Sequence, residues 1–244
     1  DHTVVKESNK WLHKRAGMCY DKGNFTKGKN RQMLGRTHFF IGTAAALAVL
    51  QPQTVPALVA GAGAAAIGGL ISDIDVGTSQ AHRDADKIIT ATVAVAVLTI
   101  LAEYKLNLGI YRRLTSDSSV LRLLTGTAAF LLICAYGKQQ PHRSFMHSFA
   151  ALALLTACVD IIYPDASAYF AVGFLSHLVL DFFNRKPEKL FWPWKKGFCL
   201  GFCSARGLVN RALLGCGMVS LAVVLVLSAP AGRLMAKIMR AIYG

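Results

Sequence analysis

Seven side chains that could ligate a metal stand at the edges of apolar runs in this chain. Pro141-His142-Arg143-Ser144-Phe145-Met146-His147-Ser148 sets two histidines five residues apart at the entrance to an apolar run over 149–162. His177-Leu178-Val179-Leu180-Asp181 lies inside another run, and His38 and Ser72-Asp73-Ile74-Asp75 lie upstream, each at the edge of one. Imidazoles and carboxylates are costly in such surroundings unless something compensates them, and a bound metal is the simplest compensation.

The spacings say which groups can act together. His177 and Asp181 are four apart, so on a helix they share a face and suit two ligands on one ion; a plain helix-surface hydrogen bond is the blander alternative. His142 and His147 diverge by about 140° on a regular helix. His142 is therefore expected in the loop after Pro141, and His147 in the first turn of the following helix. Arg143 is then free to face an anionic substrate or a carboxylate. Asp73 and Asp75 would face opposite sides of a helix. At a helix end both can converge on one cation, or one can orient a histidine; a solvated acidic turn is the alternative. His38 alone reads as a boundary residue and gains weight from the set. His82 falls in a polar loop, and His2 and His13 in the N-terminal tail. Four histidines and three aspartates exceed the needs of one tetrahedral zinc. They suit one ion with supporting carboxylates, or two ions sharing one. Mixed His/Asp ligation favours Zn, with Mn as the alternative. Asp73 or Asp75 is the candidate general base, and Arg143 or the basic segment 185–196 the candidate holder of an anionic head group.

Elements must bring these residues together. The 244 residues are 54% hydrophobic, with mean hydropathy +0.42, which suits a polytopic membrane protein with an all-α fold. Apolar runs cover 39–50, 55–71, 88–102, 120–136, 149–162, 169–183 and 209–227, giving about five to seven helices, several short of a full span. Small residues at Gly61, Ala62, Gly63, Ala65, Gly68 and Gly69 allow close helix approach. Residues 1–37 form a polar basic lead-in, 38–231 the membrane-embedded domain, and 232–244 a basic amphipathic helix of interfacial type. Phe191-Trp192-Pro193-Trp194-Lys195-Lys196 is the composition of a membrane boundary. No signal peptide is visible. The six cysteines give no disulfide framework, and Cys199 and Cys203 lack the second pair that a structural zinc would need.

If the runs alternate up and down, all seven candidate ligands return to one end of the bundle. Twenty of the 27 Lys and Arg fall on that side and seven on the other. The positive-inside rule then puts the cluster at the cytoplasmic face. The net charge of +14 is read as topology and anionic lipid head groups; a nucleic-acid module is missing.

Gly35-Arg36-Thr37-His38, Ser72-Asp73-Ile74-Asp75, His142-Arg143-Ser144-Phe145-Met146-His147-Ser148, Gly173-Phe174-Leu175-Ser176-His177-Leu178-Val179-Leu180-Asp181 and Leu190-Phe191-Trp192-Pro193 follow in this order. Together, from about Gly35 to Leu214, they resemble the LexA-regulated, membrane-bound, metal-dependent hydrolase family (YdjM-like). The resemblance implies a bacterial inner-membrane protein, a link to LexA and the SOS response in some members, and His38, Asp73, Asp75, His142, His147, His177 and Asp181 as the site. The motif order is also similar to that of the all-helical zinc phospholipase C and nuclease group, which implies phosphoester chemistry. Three positions depart from the family pattern. Val76 stands where a histidine is usual, Ser144 and Met146 where a Gly-x-Thr is usual, and Asn210 where an acid often precedes Arg211. The expected function is hydrolysis of a lipid or phosphoester at the membrane face. The alternative is a non-enzymatic transporter or scaffold using the same ligands.

Overall fold

The computed structural model describes residues 35–76, 118–184, 186–201 and 208–243. The expected run over 88–102, His82, His2, His13 and most of the N-terminal segment lie outside the described residues.

Seven α-helices are described: α1 (Gly35–Leu50), α2 (Val55–Ile71), α3 (Ser118–Gln139), α4 (Phe149–Ile162), α5 (Pro164–Phe182), α6 (Leu208–Leu227) and α7 (Ala229–Tyr243). Short 3-10 turns cover Ser72–Asp75 and Phe145–His147. Among the described residues there is no strand, only an isolated antiparallel bridge between Glu188 and Phe198. The all-α expectation holds. Spans long and apolar enough to cross a membrane are Val55–Asp75, Ser119–Gln139 and Leu208–Leu227. The other apolar helices are shorter. α1 has 16 residues and α4 has 14, or about 24 and 21 Å at 1.5 Å per residue, against the roughly 30 Å of a hydrocarbon core.

Local chemistry starts these helices where the pattern changes. Thr54 caps α2 by accepting from the Ala57 amide at 3.3 Å, and Pro56 occupies the first turn, where its missing N–H costs nothing. Ser148 caps α4 through the Ala151 amide at 3.2 Å. α5 begins on Pro164, earlier than the apolar run suggested, because a proline at the first helical position leaves no bond unmade.

α5 sits innermost, against α1, α2 and α4; α6 packs on α1, and α3 on α4. The tightest seam is α2 on α5. A side chain at Gly68 would meet the Phe170 carbonyl, and one at Gly173 would meet the backbone of Ala65. The small residues of α2 therefore serve a partner more than a hundred residues away, as well as the hairpin with α1. Gly63 is the exception and faces open space.

The main core cluster includes Ile74, Met146 and Leu178, all 2% exposed or less. Each is a chain neighbour of a candidate ligand: Ile74 lies between Asp73 and Asp75, Met146 precedes His147, and Leu178 follows His177. Packing these three anchors the turns that carry the polar groups, so the site is built on the core rather than added to its surface.

Candidate metal centre

All seven candidate side chains meet at one end of the bundle. Three overlapping sets could each hold an ion: His38, His177 and Asp181; Asp73, His147 and His177; and Asp75, His142 and His147. His38, His147 and His177 are at most 1% exposed, and Asp181 is 4% exposed.

The Ser72–Asp75 segment explains how two aspartates two residues apart converge. A 3-10 turn has three residues per turn, so positions i and i+2 lie about 120° apart rather than nearly opposite. Asp73 then faces the Nε2 atoms of His147 and His177, each 3.9 Å from its Oδ1. Asp75 faces the other way round the turn. It meets His142 Nδ1 at 2.8 Å and His147 Nδ1 at 3.4 Å, and accepts from the Arg143 amide at 3.2 Å.

His142 lies in the loop after α3, as its spacing from His147 required. His147 ends the 3-10 turn just before α4 instead of lying in the helix itself, because Ser148 takes the capping position. Burial holds the His147 imidazole below its ordinary pKa, against the opposing pull of Asp75. It is neutral near pH 7.

His177 Nδ1 lies 2.8 Å from the Gly69 carbonyl oxygen. A carbonyl only accepts, so Nδ1 carries the proton and Nε2 presents its lone pair. That Nε2 stands 3.3 Å from His147 Nε2. His38 stacks on His177 with ring centroids 4.0 Å apart, and its Nε2 is 3.5 Å from Asp181 Oδ1. Asp181 Oδ2 is 3.6 Å from His147 Nε2 and 2.5 Å from Arg143 Nη2.

Arg143 closes the site. Its guanidinium donates to Asp181 and to the Lys186 carbonyl. Its carbonyl accepts from the Lys189 amide at 3.0 Å, and its φ of 64° lies in the left-handed region that side-chain-bearing residues rarely enter. The loop after α5 thus reaches back over the site.

Sequence reasoning singles out Asn210 only as a departure from the family pattern; the structure buries it and bonds it to Thr37, the residue before His38. Sequence reasoning misses Glu188 altogether. Glu188 is fully buried, with neither carboxyl oxygen hydrogen-bonded. It is the sole acid in an otherwise basic stretch, and that was the available signal. Cys199, for which the cysteine pattern suggested no disulfide, is buried and disulfide-bonded.

The donor set fits a divalent cation. His147 Nε2 and His177 Nε2 approach to 3.3 Å, with carboxylate oxygens of Asp73 and Asp181 around them. The three aspartates outnumber the one fixed cation, Arg143, by the two charges that such an ion supplies.

Comparison with curated proteins gives no match, and comparison with solved structures gives none. The sequence model of the YdjM inner membrane protein family matches residues 33–241. With that match spanning nearly all of the described bundle, the chain belongs to the YdjM inner membrane protein family.

Proposed function

We propose that this protein is a membrane-bound, metal-dependent hydrolase of a lipid or phosphoester. The observation that carries the reading is the 3.3 Å approach of His147 Nε2 to His177 Nε2. Two zinc-bound nitrogens at about 2.0–2.1 Å from one ion lie about 3.3 Å apart in a tetrahedron. His177 Nδ1 donates to a carbonyl, so its Nε2 offers a lone pair; with its Nδ1 proton turned to Asp75 at 3.4 Å, His147 would offer a second lone pair to the same point. Two lone pairs repel unless a cation lies between them.

The ligand set we favour is His38, Asp73, His147, His177 and Asp181, with Zn first and Mn second. Asp75 and His142 support it, Asp75 by orienting His147. A divalent ion there would supply a Lewis acid that acidifies water and polarises the scissile group. The protein's own groups do the rest. The Asp73 side chain is 15% exposed, against 0% for Asp75, so Asp73 is the carboxylate able to take a proton from entering water. Asp75 is already committed to His142, His147 and the Arg143 amide. Arg143, 4% exposed and bonded to Asp181 and the Lys186 carbonyl, holds Asp181 in place, which leaves the exposed lysines of the following basic segment to hold an anionic head group.

We further infer a multi-pass arrangement with the cluster at the cytoplasmic face, on the distribution of Lys and Arg. Ligands gathered at one end disfavour the transport alternative, which calls for a site near the midplane with access from both sides.

The test is the metal content of detergent-purified protein, wild type beside His147→Ala and His177→Ala. About one equivalent of Zn or Mn in wild type, lost in both variants, supports the centre and justifies a phospholipid and phosphoester screen. Folded wild type without stoichiometric metal after reloading overturns it.

A further inference from the structure

The segment 186–198 carries a surface that the metal centre does not use. Phe191 and Trp194 are 48% and 70% exposed. Their rings join a cluster: Phe149–Phe191 at 5.5 Å, Phe191–Trp194 at 6.2 Å and Phe191–Phe198 at 5.7 Å between centroids. Lys195 and Lys196 follow directly and are exposed. The segment's one acid, Glu188, is fully buried, so the charge it presents outward is all cationic. Exposed aromatic rings beside lysines are the chemistry of an anionic lipid interface, where rings enter the head-group region and ammonium groups meet phosphate.

The same segment grips the site. The Lys189 amide donates to the Arg143 carbonyl at 3.0 Å, and the Phe149 amide donates to the Leu190 carbonyl at 2.9 Å. Arg143 Nη1 donates to the Lys186 carbonyl. A left-handed backbone at a non-glycine residue persists only where its surroundings hold it. At Arg143 those surroundings are Asp75, Asp181 and this segment.

We propose that residues 186–198 dock on anionic lipid through Phe191, Trp194, Lys195 and Lys196, and that this docking fixes Arg143 against Asp181. The membrane surface is thereby coupled to the polar cluster through two backbone hydrogen bonds. The coupling goes beyond the hydrolase reading and does not require it.

The test uses the full chain in nanodiscs of phosphatidylcholine, alone or with about one third phosphatidylglycerol. Trp194 is read by quenching from dibrominated acyl chains, as the difference between wild type and Trp194→Phe. Backbone hydrogen exchange is read on peptides covering 186–190. The expected result is about twofold stronger Trp194 quenching in anionic discs, with about fivefold slower exchange over 186–190. Both differences should vanish in the double variant Lys195→Glu, Lys196→Glu, and be reduced but present in the milder Lys195→Gln, Lys196→Gln pair. Equal quenching in both lipids, or quenching that survives charge reversal, overturns the docking. Lipid-dependent quenching without a change in exchange overturns the coupling to Arg143. Trp194 shielding that follows protein concentration in detergent would make a second copy of the chain the occupant and also overturns the proposal. None of these readouts involves bound metal, so their failure is separable from failure of the metal centre.

Discussion

Thr37 donates its hydroxyl to Asn210 Oδ1 at 3.0 Å, across 173 positions of sequence. The bond ties α6 to α1 one residue before His38, in a spot where both side chains are buried. Asn210→Leu leaves that hydroxyl without an acceptor, a loss of about 1–3 kcal/mol, seen as a lower Tm. Asn210→Asp keeps the acceptor and adds a carboxylate against Thr37, the residue before His38. It should melt above Asn210→Leu and bind Zn more tightly in a chelator competition. Unchanged affinity would detach position 210 from the centre.

Asp75→Asn tests the division of labour between the two aspartates. It weakens the hold on His147 while leaving the proposed ligand atoms in place, so metal affinity should fall about 10–100-fold. Asp73→Asn removes a ligand and the proton acceptor together. If a substrate is found, its turnover should be lost even at metal concentrations that restore occupancy to Asp75→Asn.

Arg143 separates backbone strain from charge. Arg143→Ala strips Asp181 of its guanidinium, and breaking a buried pair from one side costs about 3–5 kcal/mol. Arg143→Gly loses the same charge, but a glycine accepts a φ of 64° without the ~1–2 kcal/mol that a Cβ costs in the left-handed region. Denaturation should therefore rank wild type above Arg143→Gly, and Arg143→Gly above Arg143→Ala. An inverted order of the two variants would mean that the backbone there relaxes freely.

Glu188 gives a pH dependence with a definite sign. Burial, reinforced by Asp181 and opposed by Arg143, pushes its carboxyl up to about 9. Between the ordinary carboxylate range and pH 9 the folded chain keeps a proton that the unfolded chain has lost, so stability falls as pH rises through that window. Glu188→Gln removes the effect. Its Tm relative to wild type should climb steadily from pH 5 to pH 8.5, and the advantage should disappear near pH 4. Parallel melting curves at every pH would show that Glu188 does not titrate in that range.

Much of this arrangement was legible because polar residues inside apolar runs are few and their order is informative. Alternating the runs is enough to bring His38, Asp73, His142 and His177 to one end. Periodicity cannot express what a tertiary contact decides. Asp73 and Asp75 converge because the chain tightens into a 3-10 turn around the buried Ile74. Gly68 and Gly173 meet because two distant helices need the room. Glu188 escapes notice, and Asn210 stands out only as a departure from a family pattern, because each looks ordinary alone: one acid among lysines, one amide at a helix start. Their meaning comes from burial, which a linear reading assigns only through pattern.

The disulfide at Cys199 opposes the cytoplasmic placement inferred from the distribution of Lys and Arg, and makes the orientation of the chain chemically readable. Thiols in the cytoplasm stay reduced, whereas those exposed to the periplasm are oxidised. The loop carrying Cys199 is the one that folds over Arg143, so that sulfur has met the same compartment as the polar cluster. A maleimide that labels Cys199 in freshly lysed, unfolded protein would show that the cluster opens to the cytoplasm. A sulfur that reacts only after reductant would turn the bundle over and put its chemistry outside the cell's reducing pool.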